Sequence, residues 1–101
     1  MKVKINRNAA KVLKEMLNKE ENQGKMVRVF VTSQHGDHVH YGFRFDTPGE
    51  NDTVVETDKG IPVILEKDNE WLDGVWIQYF YVPEEGFIIS NPQKGNNHHL
   101  Y

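Results

Sequence analysis

Five histidines are the conspicuous chemistry in a sequence of 101 residues that contains no cysteine. His35, His38 and His40 fall within six residues, and His98-His99 lie near the end. Neutral imidazole nitrogens ligate Zn, Fe, Ni or Cu. In an extended segment His38 and His40 share a face, while His35 belongs to a turn with Gly36-Asp37. The spacing therefore nominates a metal site without defining its geometry, and no His-Glu-x-x-His helix signature sharpens it. His98 and His99 follow Gln93-Lys94-Gly95-Asn96-Asn97, so that 93–101 is a candidate mobile tail. It joins the first cluster only if the fold brings the two together. The competing expectation is exposed loop histidines with no ligand duty.

The other side chains offer less. Absence of cysteine removes disulfides, thiolate metal sites, thiol nucleophiles and conventional Cys-ligated iron–sulfur clusters. Asp46, Glu50 and Asp52 surround Pro48-Gly49, and Glu66, Asp68 and Glu70 precede Trp71. Both groups read as solvated loops rather than an acid/base pair, and no nucleophile motif or phosphate-cradling loop accompanies them. An enzyme is not expected. The formal charge is −3, so nucleic acid is not expected as a partner. The charge is uneven, however: residues 1–30 carry a net +5 and 31–101 a net −8, which gives the chain a basic helix. The longest apolar run, Ile61 to Leu65, is far short of a membrane span, and no signal segment is visible. A single domain over 1–101, in the cytoplasm and away from membranes, is the expectation.

These side chains must be positioned by short elements. Val3 and Ile5 read as a strand, Asn6 as a helix cap, and Ala9, Val12, Leu13, Met16 and Leu17 as the apolar stripe of a helix over Arg7 to Glu21. From Met26 the period becomes two. Val27, Val29 and Val31 share a face, as do Val39, Tyr41, Phe43 and Phe45. Further strands are expected over Thr53 to Thr57, Ile61 to Leu65, Val75 to Val82 and Phe87 to Ser90, with the histidines 35–40 in a connecting loop. The strand Val75 to Val82 carries apolar bulk on both faces. Core on one side and a subunit contact on the other explain it. One helix followed by many strands predicts a mainly β fold, a sandwich or partly open barrel.

Several strings also match a known pattern. Ile5-Asn6-Arg7-Asn8-Ala9-Ala10 is similar to an Ile-Thr-x-x-Ala-Ala opening, and Tyr41-Gly42-Phe43-Arg44-Phe45 to a Tyr-x-Leu-x-Phe strand. Leu72-Asp73-Gly74-Val75-Trp76-Ile77 and Gly86-Phe87-Ile88-Ile89-Ser90-Asn91-Pro92 are similar to Leu-Asp-Gly-x-x-Ile and Gly-Phe-x-x-x-Asn-Pro. Across nearly its whole length the chain resembles the HesB-like, or A-type (IscA-like), iron–sulfur cluster biogenesis family.

The resemblance implies two mixed sheets packed as a compact sandwich with one N-terminal helix, self-association, and a setting in iron–sulfur cluster assembly or iron handling with protein partners of that pathway. The family's cysteine motifs are Gly-Gly-Cys-x-Gly before the Tyr-x-Leu-x-Phe strand and Cys-Gly-Cys after Asn-Pro. Gly36 falls at the first cysteine position with His35 beside it, and His98-His99-Leu100 fall on the second motif if no gap intervenes. His35, His38, His40, His98 and His99 are thus the candidate metal ligands, for Fe or Zn, in a cysteine-free carrier that delivers by ligand exchange. The rival expectation is an interaction domain that keeps the scaffold, binds no metal and uses the basic helix or the Trp76/Phe80 face.

Overall fold

The structure is a computed structural model that describes residues 1–94. Asn6 opens the single α-helix among these residues: it is extended, and its side-chain oxygen accepts a hydrogen bond from the Ala9 N–H at 2.8 Å. The helix, α1 (Arg7–Leu17), buries Ala9, Ala10 and Leu13. It stops four residues before the expected end. The Asn18 N–H closes back onto the Lys14 carbonyl, and the Asn22 amide donates to the Met16 carbonyl at 2.8 Å. Lys19 is extended, so Glu20–Asn22 form a separate 3-10 turn. Side-chain amides thus satisfy the last carbonyls in place of further helix.

Seven strands complete the described residues: β1 (Val3–Ile5), β2 (Met26–His35), β3 (His38–Asp46), β4 (Asp52–Glu56), β5 (Pro62–Glu66), β6 (Val75–Phe80) and β7 (Gly86–Ser90). They form a three-stranded sheet in the order β1-β6-β7 and a four-stranded sheet in the order β3-β2-β5-β4. Both sheets are mixed. β1 runs parallel to β6, and β2 parallel to β5, while the remaining pairs are antiparallel. Both sheets are open, so the sandwich alternative holds and there is no closed barrel.

The core lies between the sheets, with α1 contributing to it. Val3, Ile5, Val75, Ile77 and Tyr79 come from one sheet, Val27, Val29, Val63 and Leu65 from the other, and Leu13 from the helix. Burying a side chain of this size contributes about 1.5–3 kcal/mol. Phe87 stacks edge-on against both Phe43 and Tyr79, at centroid separations of 4.7 Å, and so joins the two layers.

A clamp lies at the motif strings. Asn91 is fully buried, and its amide donates to the carbonyls of Trp71 (2.9 Å) and Asp73 (2.8 Å) while its oxygen accepts from the Gln93 N–H. The Tyr41 hydroxyl donates to the same Trp71 carbonyl at 2.6 Å, and burial raises its pKa. Gly74, at φ +95°, lies so close that a Cβ would come within 3.1 Å of the Asn91 side-chain oxygen. Leu-Asp-Gly and Asn-Pro are therefore two halves of one hydrogen-bonded joint.

The carboxylates Asp46 and Asp52 are not solvated loops. Asp52 holds the Arg28 guanidinium with both oxygens, at 2.7 and 2.8 Å, and its side chain is only 9% exposed. Asp46 takes the Arg28 Nε at 2.9 Å. Arg28 draws Asp52 down to about 2, with the Gly49 N–H helping. In the sequence, both aspartates flank a Pro-Gly turn. Their pairing with an arginine roughly twenty residues upstream depends on strand order, which local pattern does not carry.

Candidate metal site at the β2–β3 hairpin

The expected loop around the histidines is a tight hairpin. β2 extends through His35, β3 starts at His38, and only Gly36 and Asp37 connect them. Gly36 has φ +62° and Asp37 does not share the positive sign, the pattern of a type II′ turn, which suits the twist of a two-residue hairpin. In the register, His35 lies opposite His38, Gln34 opposite Val39, and Ser33 opposite His40.

The register slips between Val31 and Ser33, leaving Thr32 as a bulge. Simple alternation from Val27, Val29 and Val31 would aim His35 at the core. The extra residue reverses that parity. His35 therefore shares the outer face with His38 and His40, while Val39 is buried on the other side. Gly42 makes room for the bulge: a Cβ there would meet the Thr32 methyl at 2.9 Å and the Phe30 ring at 3.2 Å.

Directly opposed residues of an antiparallel pair have Cβ atoms ~4.5–5.5 Å apart, so His35 and His38 are neighbours across the hairpin. His40 is the next outward residue along β3. All three histidines are exposed, and His38 Nε2 lies 4.0 Å from the Asp37 carboxylate. Among the described residues, no three His, Asp or Glu side chains converge into a group able to hold a metal ion. The fold thus pairs His35 with His38 and sets His40 on the same face, without assembling a three-ligand cage. His98 and His99 lie outside the described residues.

The donor set can be tested against the cargo of cluster-carrying proteins. Conventional iron–sulfur clusters are held by thiolates, and even the familiar histidine-bearing centres keep two cysteines. The resemblance puts the family's first cysteine at Gly36, and the sequence holds no cysteine at all. These residues do not fit a thiolate-held cluster. Exposed imidazoles fit a single Fe or Zn ion in part, since they supply fewer protein ligands than a closed site requires.

Two mixed open sheets, one capped helix and the Leu-Asp-Gly/Asn-Pro joint define the class: a HesB-like domain. No protein-family model matches the chain. It is 35% identical over 96 residues to the iron–sulfur cluster insertion protein ErpA of Marinobacter nauticus, covering 88% of this chain and 83% of that one. It is 36% identical over 93 residues to ErpA 2 of Methylococcus capsulatus, covering 89% and 71%. Among solved structures it is similar to Escherichia coli SufA, a protein involved in biosynthesis of iron–sulfur clusters. The TM-score is 0.62 with 20% identity, over 92% of this chain and 88% of that one. The chain belongs to the A-type HesB/IscA family. No helix among the described residues is long and apolar enough to cross a membrane.

Proposed function

We propose that the chain serves iron–sulfur cluster assembly as a carrier of a single Fe or Zn ion, held by imidazoles in place of thiolates. The observation that supports this is the register pairing of His35 with His38, with His40 on the same face, at the hairpin where the family motif has its first cysteine. Two opposed imidazoles leave coordination positions to water or to an acceptor's groups. Such a half-filled ligand set suits delivery by ligand exchange, without catalysis. His98 and His99 are the proposed additional donors. The recipients are protein partners of the assembly pathway, in the cytoplasm.

The test is anaerobic titration of untagged protein with ferrous iron and with zinc, read by elemental analysis after desalting. Near-stoichiometric metal that is lost in the His38→Ala/His40→Ala double variant supports the carrier. Metal retained unchanged in that variant sinks the assignment.

A metal-free interaction domain is the second reading, favoured by the lack of three converging donors among the described residues. No binding above background by wild-type protein selects it.

A further inference from the structure

Among the described residues the two sheets end in four edge strands, and they are not equally guarded. β1 is three residues long and runs straight into α1. β3 and β7 approach each other through Phe43 and Phe87. β4 packs closely on β5 alone, at the edge of the four-stranded sheet remote from the hairpin histidines. Natural proteins blunt such edges with proline, lysine or a bulge. Asp52–Glu56 has none of these: its centre is Thr53-Val54-Val55, and Val54 is 40% exposed.

The phase of the ladder shows what this edge presents. The Lys67 N–H donates to the Asn51 carbonyl at 2.7 Å, and bonded positions recur at every second residue of an antiparallel strand. Asn51, Thr53 and Val55 therefore bond toward β5, while Asp52, Val54 and Glu56 turn their backbone groups away from it. The Asp52 N–H is taken by the Gly49 carbonyl at 3.2 Å. The N–H and C=O groups of Val54 and Glu56 have no partner among the described residues. They form a short unpaired ladder of the kind an extended chain completes.

The charges select the chain that fits. Two copies paired antiparallel about Val54 would set Glu56 of each opposite Asp52 of the other, and like charges directly opposite destabilise a sheet. A strand with cations at those positions turns the repulsion into attraction. Beside Thr53 the edge opens on a groove of about 410 Å³ lined by Met1, Thr53, Lys67, Asp68, Glu70 and Asp73, where carboxylates predominate. It offers a seat for one cationic side chain. We propose that the β4 edge accepts an extended segment of another protein as a fifth strand, with β-branched residues at its centre and Lys or Arg at its ends. The contact is independent of any metal at the hairpin.

A library of random heptapeptides displayed on phage, selected against the full chain, tests this. The enriched sequences are expected to place Lys or Arg around Val, Ile or Thr. The leading peptide is then resynthesised with a fluorescein label and titrated by fluorescence anisotropy. Val54→Pro removes an N–H that the β4–β5 ladder does not use, so the sheet tolerates it, and should weaken binding roughly tenfold or more. Glu56→Lys should weaken it roughly fivefold, and more at low salt. Methylating alternate backbone nitrogens of the peptide should abolish binding in one register and leave it nearly unchanged in the other, because a strand bonds along one edge at every second residue. Circular dichroism and thermal midpoints of the two variants separate lost binding from lost folding.

A selection that enriches no sequence overturns the inference. So does a peptide whose affinity is unchanged in both variants, since it then sits elsewhere. A peptide that both methylation registers weaken alike is not held as a strand and overturns it too. A wild-type chain that dimerises in sedimentation velocity, and that Val54→Pro returns to monomer, gives the edge to a second copy and overturns it as well.

Discussion

The Asn91 joint and the tip of the β2–β3 hairpin sit at the two ends of one comparison. At the joint, every polar group of a buried side chain is engaged, and the residues keep the family pattern. At the tip, the side chains are exposed, and glycine stands where the resemblance puts the family's first cysteine. The same strand links them, because Tyr41 bonds into the joint and His40 is the residue before it. The difference teaches which kind of sequence match carries which kind of information. Leu-Asp-Gly and Asn-Pro report how the sheets are tied together, a structural requirement that any activity on this scaffold shares. The proposed chemistry rests instead on the hairpin positions of His35, His38 and His40.

The comparison breaks first at Asn91. Asn91→Ala leaves the Asp73 carbonyl buried without its donor and opens a small cavity, so it should cost about 3 kcal/mol. Urea denaturation reads this as a lower midpoint at unchanged m. Two glycines with positive φ sharpen the contrast. Gly74→Ala brings a Cβ against Asn91 and Gln93 and should cost about 2 kcal/mol. Gly36→Ala meets open space, so its cost of about 1 kcal/mol is backbone strain alone.

A third probe is acid. The folded-state value for Asp52, about 2, lies below its ordinary 3.8. The stabilisation from its pairing with Arg28 is therefore complete above about pH 4 and lost as pH falls toward 2. Asp52→Asn should flatten that part of the stability curve, measured by thermal melts across the range. The smallest effect is expected at the tip, where His38→Ala/His40→Ala should change stability by no more than about 0.5 kcal/mol per site. A larger loss would mean that the exposed histidines are built into the fold as Asn91 is.

Much of the architecture is legible from alternation. Val27, Val29 and Val31, then Val39, Tyr41, Phe43 and Phe45, mark strands because a pleated backbone repeats every two residues, and the seven strands of the described residues overlap the expected runs, although β2 continues to His35 and β6 stops at Phe80 rather than Val82. Helix α1 is legible from its apolar stripe and from Asn6. Its end is not, because the closing bond comes from Asn22, beyond the pattern. The Arg28 clamp is hidden for a related reason: its partners are set by which strands become neighbours. The candidate site was legible by residue type alone. Spacing suggested that His38 and His40 share a face, and they do. That His35 joins them is hidden from alternation by a bulge, and a threonine in a β-run does not announce one.

The Thr32 bulge also means that the hairpin absorbs one residue of chain length. Removing Thr32 would leave a regular ladder in which Ser33 still faces His40 and His35 still faces His38, so the tip would offer the same side chains to solvent. The outward set at the tip is therefore fixed by counting back from the turn, not forward from the core-facing valines. Chains of this family that differ there by one residue of length are comparable at the tip only when they are aligned from the turn.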